Sequence, residues 1–459
     1  MALVVNKKNH IISQRRGLHG RILVLIILIS IFGIVIIGRL FMLQVLQHSF
    51  YQKVASKEHE TYKDLAAERG SIYVKDKDQL FPLVTNREYY LVYAEPVNVK
   101  DPKKIIDSIV PILNLEEKEW KELLTKLTNS SDPYEPIKHK VTRQQVDEIE
   151  KLKLAGIGFS PESFRFYPEK NIGGHIFGFV GYVGDKKIGQ YGLEGYFNDE
   201  LSGKPGLMKS AKDALGSLIT IGSRSVTNAE NGAHLVLTID RQIQFFACQK
   251  LKEYNDKFSA DGGSVVIMKP TGEILAMCSL PDFDPENYGD TKDINIFNNP
   301  AIFSAYEPGS VFKAITMAAG LDSGSVSPND TYNDTGEIKA GGFTIKNSDL
   351  QAHGQTTMVQ ILEKSLNTGA IYVEQKVGKD NFKKYVKNFG FGKVSGIQLN
   401  KEVAGDLSSL DKPGEIYGMT ASFGQGIMVT PLQLVTAFGA IANQGKLMKP
   451  YIVSEIIKP

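Results

Sequence analysis

The longest apolar stretch of the chain covers residues 22 to 38 without a charge, and apolar character continues past Arg39 to residue 46. This length lies at the short end of the about 17–25 residues that span a bilayer. It exceeds the about 7–15-residue core of a cleaved signal peptide, and no small-x-small cleavage site follows it. We therefore predict an uncleaved transmembrane helix over 22–46, and regard a cleaved signal peptide or a buried core helix as the alternatives.

Five basic residues precede the apolar run: Lys7, Lys8, Arg15, Arg16 and Arg21. Positive charge on one side of a span keeps that side in the cytoplasm. The pattern predicts a cytoplasmic tail over 1–21 and an exported remainder.

Helical and strand-like patterns alternate through the exported part. Apolar residues recur at helical spacing over 100–127 and 141–154, whereas 89–94 is typical of a strand. Farther along, a helix is predicted over 242–254 and a strand over 274–277. The mixture predicts an α+β fold, and 459 residues are too many for one domain.

A second apolar helix, predicted over 311–321, carries a single charge near its start, Lys313. Lysine is almost never buried without a purpose, and burial lowers its pKa and makes the neutral amine accessible. Ser310 lies three residues earlier, on the same helix face. A hydroxyl beside a neutral amine is an activated nucleophile with its base, although a lysine whose stem packs while its head reaches water is the simpler alternative.

The spacing alone is weak evidence, because Ser409 and Lys412 repeat it. There Pro413 disfavours helix at Lys412, and no apolar helix surrounds the lysine. A serine-x-asparagine pair follows downstream at Ser365 and Asn367, in the order found in serine acyl-enzymes that react with penicillin. Taken alone, this pair would indicate a helix start and a turn.

Five ordered blocks carry a more specific resemblance. They begin with 236–244 and 269–277, continue through 391–402, and end with 423–434 and 442–445. On these blocks the chain resembles the class B penicillin-binding proteins, which are peptidoglycan transpeptidases. The blocks 69–72, 165–168, 178–181 and 192–195 resemble the elongated pedestal of the family, where they pack against one another near the membrane; the Asp-Arg pair usual after the first is replaced by Val74 and Lys75.

The resemblance implies a domain order: tail 1–21, transmembrane anchor 22–46, pedestal or dimerisation-type domain 47–225, and transpeptidase domain 226–459 with an antiparallel sheet flanked by helices. It implies that Lys313 deprotonates Ser310, that Ser365 relays a proton to the leaving group and that Asn367 holds the substrate's backbone amide. The implied substrates are peptidoglycan stem peptides, with β-lactams acylating the same serine. The implied location is the bacterial cytoplasmic membrane, with a single pass and the catalytic domain outside.

The family also uses a Lys-Thr/Ser-Gly motif on an edge strand facing the nucleophile, and this sequence contains none. In the family the motif lies downstream of the 442–445 block. We therefore expect a chain truncated before its last strands and inactive as it stands, whereas the full-length protein would be a D,D-transpeptidase.

Composition and charge limit the classes of binding partner that the sequence predicts. A net charge of +2 gives no electrostatic case for nucleic acid. The eight histidines show no metal spacing, so neither metal nor cofactor is predicted. Cys248 and Cys278 could be bonded, which the sequence cannot decide, and free buried cysteines are favoured.

Three other functions stay open: a β-lactamase, a penicillin-sensing receptor and a non-catalytic scaffold of wall synthesis. The long pedestal after a single span favours the transpeptidase over the first two. The Glu-Pro-Gly sequence before Ser310 and the 423–426 block favour the septal type over the elongation type. Septal membership would imply a glycan-polymerising membrane protein and division proteins as partners.

Overall fold

The computed structural model describes residues 10–47, 60–169, 173–184, 186–211 and 225–459. A helix over His10–Phe41 continues into one π-helical turn, Met42–Leu46. Its Val24–Leu46 portion is long and apolar enough to cross a membrane, in agreement with the predicted span. Lys7 and Lys8 of the predicted tail lie outside the described residues.

The chain divides into two compact units. One comprises Met1–Ala66 with Pro205–Ala229. Within its described part, Glu60–Leu65 pairs antiparallel with Gly206–Ala211, which pairs in turn with Ser225–Thr227. These strands form a three-stranded sheet.

The other unit comprises Ala67–Lys204 with Glu230–Pro459. A long strand, Gln79–Ala94, organises its first half. It pairs antiparallel with three strands: Ile72–Asp76, Glu135–Val141 and Ile157–Phe166. The sheet continues from Ile72–Asp76 through a parallel partner, His234–Leu237, to the antiparallel edge strand Val453–Ile457.

Three helices cover one end of this sheet, as the apolar spacing predicts: Pro102–Leu113, Glu117–Leu127 and Arg143–Lys151. Asp101, through its side chain, caps the first of these helices, and Thr142 caps the last. Their buried faces share one core with the sheet, which includes Ile109, Leu127 and Val146. The shorter elements that follow are Gly174–Phe177, Phe179–Val183, Lys186–Gln190, Gly192–Tyr196 and Asn198–Ser202.

The second half of this unit contains the predicted nucleophile. Its helices are Arg241–Phe258, Pro300–Phe303, Lys313–Asp322, Met358–Glu363, Asn367–Val377, Lys379–Asn388, Ile416–Ser422 and Pro431–Ala442. Its remaining strands form three antiparallel pairs: Gly263–Met268 with Ile274–Leu280, Thr331–Asp334 with Gly354–Thr357, and Glu337–Ala340 with Phe343–Lys346.

The structure corrects the expectation of free cysteines, because Cys248 and Cys278 form a disulfide. The Gln244 side chain explains why the helix that carries Cys248 and the strand that carries Cys278 lie close together. It accepts a hydrogen bond from Met277 N at 2.8 Å and donates one to Met277 O at 2.9 Å. These two bonds fasten the helix Arg241–Phe258 to the strand Ile274–Leu280, with Cys248 one turn beyond Gln244 and Cys278 next to Met277.

Candidate active site

Ser310 lies in a 3₁₀ turn, Gly309–Phe312, that runs directly into the nucleophile helix, Lys313–Asp322. The predicted helix start is thus tighter than an α-helix. In a 3₁₀ turn the side chains at i and i+3 eclipse one another, which places Ser310 and Lys313 on one face. Ser310 is exposed, whereas Phe312 is fully buried and anchors the turn.

The segment 423–426 holds this turn in place. Gly309 N donates to Gly424 O at 3.0 Å, and Gly426 N donates to Glu307 Oε1 at 2.8 Å. Gly424 has φ of +78°, and a Cβ there would lie 2.2 Å from Gly309 O. Only glycine permits this backbone and this approach, so the Phe-Gly-Gln-Gly block supports the turn that presents Ser310.

Lys313 is buried, with 3% of its surface exposed. Burial lowers the pKa of its ammonium from 10.5 to about 8. The ion pairs of the described residues include none with Lys313, so no nearby carboxylate stabilises its charge. Compared with an ordinary lysine, this increases the neutral fraction near pH 7 about 300-fold.

The Lys313 amine contacts Ser365 rather than Ser310. Nζ donates to the Ser365 carbonyl oxygen at 2.5 Å and to Ser365 Oγ at 3.0 Å. No hydrogen bond joins Nζ to Ser310 Oγ in the described part of the chain. The amine of Lys313 is therefore bonded to a neighbouring segment, whereas Ser310 lies in the turn just before the lysine.

Ser365 occupies a strained backbone position. It follows the helix Met358–Glu363 with φ of +54°, where glycine is the usual residue. Ser365 N bonds Leu362 O at 3.2 Å and Leu366 N bonds Ile361 O at 2.9 Å, the two bonds of a Schellman motif. This turn aims both the carbonyl and the hydroxyl of Ser365 at Lys313, and a left-handed non-glycine residue is typical of functional sites.

Asn367 begins the next helix, Asn367–Val377, called here the asparagine helix. Its Nδ2 donates to Lys346 O at 2.8 Å. Gly369 allows the close packing of this helix, because a Cβ there would lie 2.5 Å from Ile361 Cγ1. The short Ser365-to-Asn367 segment is thus fixed between two helices.

The other Ser-x-x-Lys copy shares the 3₁₀ turn but lacks the buried lysine and the helix that follows it. Ser409 lies in a 3₁₀ turn, Ser408–Asp411, and Lys412 is extended and exposed, as Pro413 predicts. The sequence analysis did not predict Glu307 and Thr368 as residues of the site, although each lies next to a recognised motif. Asp334 and Asn347, which contact Thr368, gave no sequence signal.

The pedestal blocks meet in a buried cluster, the arginine cluster, formed by Arg69, Arg165 and Glu194. Glu194 is fully buried, and its carboxylate accepts from Arg69 Nε and from Arg165 Nε, each at 2.6 Å. The predicted packing of blocks 69–72, 165–168 and 192–195 against one another is therefore confirmed.

A cavity of about 1140 Å³ lies beside the disulfide and the helix Arg241–Phe258, and none of the predicted site residues lines it. Among the described residues, no three His, Cys, Asp or Glu side chains are grouped so as to hold a metal ion.

Comparison with known proteins identifies two domains in the chain. Residues 64–237 match the penicillin-binding protein dimerisation domain, and residues 262–458 match the penicillin binding protein transpeptidase domain. The stage V sporulation protein D of Bacillus subtilis is 35% identical over 396 residues, which cover 85% of this chain and 60% of that protein. The peptidoglycan D,D-transpeptidase FtsI of Escherichia coli K12 is 28% identical, over 92% of this chain and 71% of that protein.

The fold agrees as well. The crystal structure of penicillin binding protein 2X from Streptococcus thermophilus superposes with a TM-score of 0.71 at 23% identity, and the match covers 87% of this chain and 61% of that one. The chain thus spans about 60% of the length of some of its relatives. With both domain types matched in succession behind an N-terminal apolar helix, the chain belongs to the class B penicillin-binding proteins.

Proposed function

We propose that the native gene product is a serine-type peptidoglycan D,D-transpeptidase that works through a Ser310 acyl-enzyme. The observation that carries the proposal is the buried Lys313 amine, which lacks a carboxylate partner in the described chain, lies one turn from the exposed Ser310 and donates to Ser365 Oγ at 3.0 Å. Such an arrangement provides a nucleophile, a base and a relay.

The proposed reaction begins when neutral Lys313 takes the Ser310 hydroxyl proton. Ser310 Oγ bonds to the penultimate D-Ala carbonyl carbon of a stem peptide, and the Ser310 backbone N–H stabilises the oxyanion. The peptide bond to terminal D-Ala then breaks. Its nitrogen receives a proton from Ser365 Oγ, which Lys313 reprotonates.

An amino group of a second stem peptide then resolves the acyl-enzyme. Its nitrogen attacks the ester carbonyl, its surplus proton returns through the same side chains, and Ser310 Oγ leaves as the hydroxyl. Asn367 holds the backbone amide of the donor peptide throughout. β-Lactams open on the same serine, and the resulting ester persists because the leaving group stays attached.

The proposed location follows from the apolar helix and its basic flank. We place the Val24–Leu46 span in a bacterial cytoplasmic membrane, with the N-terminus inside and the pedestal and catalytic domains outside. The likeness to the FtsI enzyme favours a role at division, with a glycan-polymerising membrane protein and division proteins as partners. We also propose the boundaries 47–225 and 226–459 for the two exported domains.

The test is covalent labelling of the native gene product with fluorescent penicillin. Ser310→Ala should abolish labelling, whereas the matched variant Ser409→Ala should leave it intact. Labelling that survives Ser310→Ala contradicts the proposal. Rapid release of hydrolysed penicillin in place of a stable adduct would indicate a β-lactamase instead.

A further inference from the structure

Three buried polar residues meet beside the asparagine helix, and the proposed reaction assigns none of them a role. Asp334 ends the strand Thr331–Asp334, Asn347 follows the strand Phe343–Lys346, and Thr368 is the second residue of the asparagine helix. At most 2% of each is exposed. Polar groups buried so completely persist only when they are hydrogen-bonded.

The Asp334 carboxylate is saturated with donors. Oδ1 accepts from Thr368 Oγ1 at 2.7 Å and from Gly336 N at 3.1 Å. Oδ2 accepts from Asn347 Nδ2 at 2.9 Å and from His353 N at 3.0 Å. Burial alone would raise the pKa of Asp334, but these hydrogen bonds outweigh it and lower the pKa, so the group is ionised and a strong acceptor.

Asn347 extends this network to the start of the asparagine helix. Its Nδ2 is held by Asp334, which turns Oδ1 toward the helix. There Oδ1 accepts from Thr368 N at 3.2 Å and lies 3.0 Å from Thr368 Oγ1. The first N–H groups of a helix have no partner within it, and Asn347 satisfies one of them.

Two residues of the network adjoin the contact that Asn367 makes: Asn347 follows Lys346, and Thr368 follows Asn367. Lys346 O, the carbonyl before Asn347, accepts from Asn367 Nδ2 at 2.8 Å. Asn367 itself precedes Thr368. An amide flip would set Asn367 Oδ1 against the Lys346 carbonyl, two acceptors facing each other, so the orientation of the amide is fixed. Among the described residues no hydrogen bond reaches Oδ1, so Oδ1 and the second Nδ2 hydrogen face an incoming amide group.

We propose that Asp334, Asn347 and Thr368 are positioning residues that fix the Asn367 amide, and so set the orientation of the acyl donor over Ser310. The inference rests on the proposed function and extends it. In the described structure, none of the three bonds to Ser310, Lys313 or Ser365. Their effect on acylation should therefore pass through Asn367.

A double-mutant cycle tests this route. Thr368→Val removes the hydroxyl from Asp334, and Asn367→Ala removes the side chain that the network positions. With the native gene product and fluorescent penicillin, Thr368→Val alone should lower the second-order acylation rate constant on the order of 10²-fold, as for a misplaced positioning group. In the Asn367→Ala background the same change should cost about twofold or less.

Two further variants separate positioning from general damage. Thr368→Ser keeps the hydroxyl and should acylate at nearly the normal rate. Thr436→Val is the matched control, because its buried Oγ1 donates to Leu432 O at 2.7 Å inside the helix Pro431–Ala442; its rate should not change. If Thr368→Val does not fold, Asn347→Ala takes its place in the cycle.

The outcomes are distinct. Equal losses from Thr368→Val in both backgrounds, or a Thr368→Ser variant as slow as Thr368→Val, would overturn the positioning role while leaving the acyl-enzyme intact. Normal acylation by Asn367→Ala would overturn the role of Asn367 itself and this inference with it. Unlabelled wild-type protein, or labelling independent of Ser310, would overturn the proposed function as well.

Discussion

Glu194 in the arginine cluster of the pedestal and Lys313 beside Ser365 are both buried ionisable residues, but they differ in how the charge is compensated. In the arginine cluster, Glu194 accepts from two guanidinium groups. Among the described residues, the Lys313 amine hydrogen-bonds only to the hydroxyl and carbonyl of Ser365. The comparison shows that burial alone does not make a charged residue reactive. A compensated charge holds segments together, whereas an uncompensated buried ammonium gives up its proton more readily.

Lys313→Arg should produce the largest effect. A guanidinium keeps the charge but does not deprotonate in proteins, so the base is lost. The acylation rate should fall by at least about 10²–10⁴-fold, the usual contribution of a general base, and stopped-flow or gel-based labelling with penicillin would measure it. Acylation near the wild-type rate would mean that Lys313 serves only as a charge.

Glu194→Gln should affect stability instead of chemistry. It leaves two largely buried arginine side chains without their counter-charge. Breaking a buried ion pair in this way costs about 3–5 kcal/mol. Thermal unfolding should show a lower Tm. The fraction that remains folded should acylate normally, because no hydrogen bond or ion pair of the described residues joins the arginine cluster to Ser310, Lys313 or Ser365. A Glu194→Gln variant that keeps its Tm but loses acylation would contradict the stabilising role given to the arginine cluster.

Glu374 offers a third case, a buried carboxyl on the asparagine helix with 3% exposure. Burial raises its pKa from 4.5 to about 7, the nearby Glu415 charge adds to the rise, and Lys379 opposes it. The folded state therefore binds this proton more tightly than the unfolded state, so stability is lost as pH rises from about 4.5 through 7. The full loss is about 3 kcal/mol.

Glu374→Gln should remove that pH dependence, so its Tm relative to wild type should increase between pH 5 and pH 8. The titration is measurable by thermal melts at several pH values. Parallel plots of Tm against pH for the two proteins would contradict this. They would show that Glu374 is not protonated in the folded state and that burial does not raise its pKa.

Much of this structure follows from local patterns in the sequence. Apolar spacing predicts the helices near 102–127 and 143–151. The single charge in an otherwise apolar helix identifies Lys313 as the candidate base. Contacts between distant segments could not be predicted outside the blocks that resemble the family. Thr368 meets Asp334 and Asn347 from 34 and 21 residues away, and the disulfide joins cysteines 30 residues apart. No local pattern specifies such pairings, because tertiary packing alone brings them together.

Ser365 illustrates the same limit. Its side chain and its neighbours suggest a turn, but the left-handed backbone at φ of +54° depends on how the helix Met358–Glu363 ends and on the packing of Gly369 against Ile361. The identity of the residue was predictable from the motif. The direction of its carbonyl and hydroxyl, which determines the contact with Lys313, was not.

The central claim is that Lys313 acts as a neutral amine because its charge is buried without a partner. The pH dependence of the second-order rate constant for penicillin acylation, measured from pH 6 to 10, tests it most directly. With the pKa lowered to about 8, the rate should rise with pH and level off above a midpoint near 8. A rate that is flat over this range, or one still rising at pH 10 as for an ordinary lysine, would contradict the account.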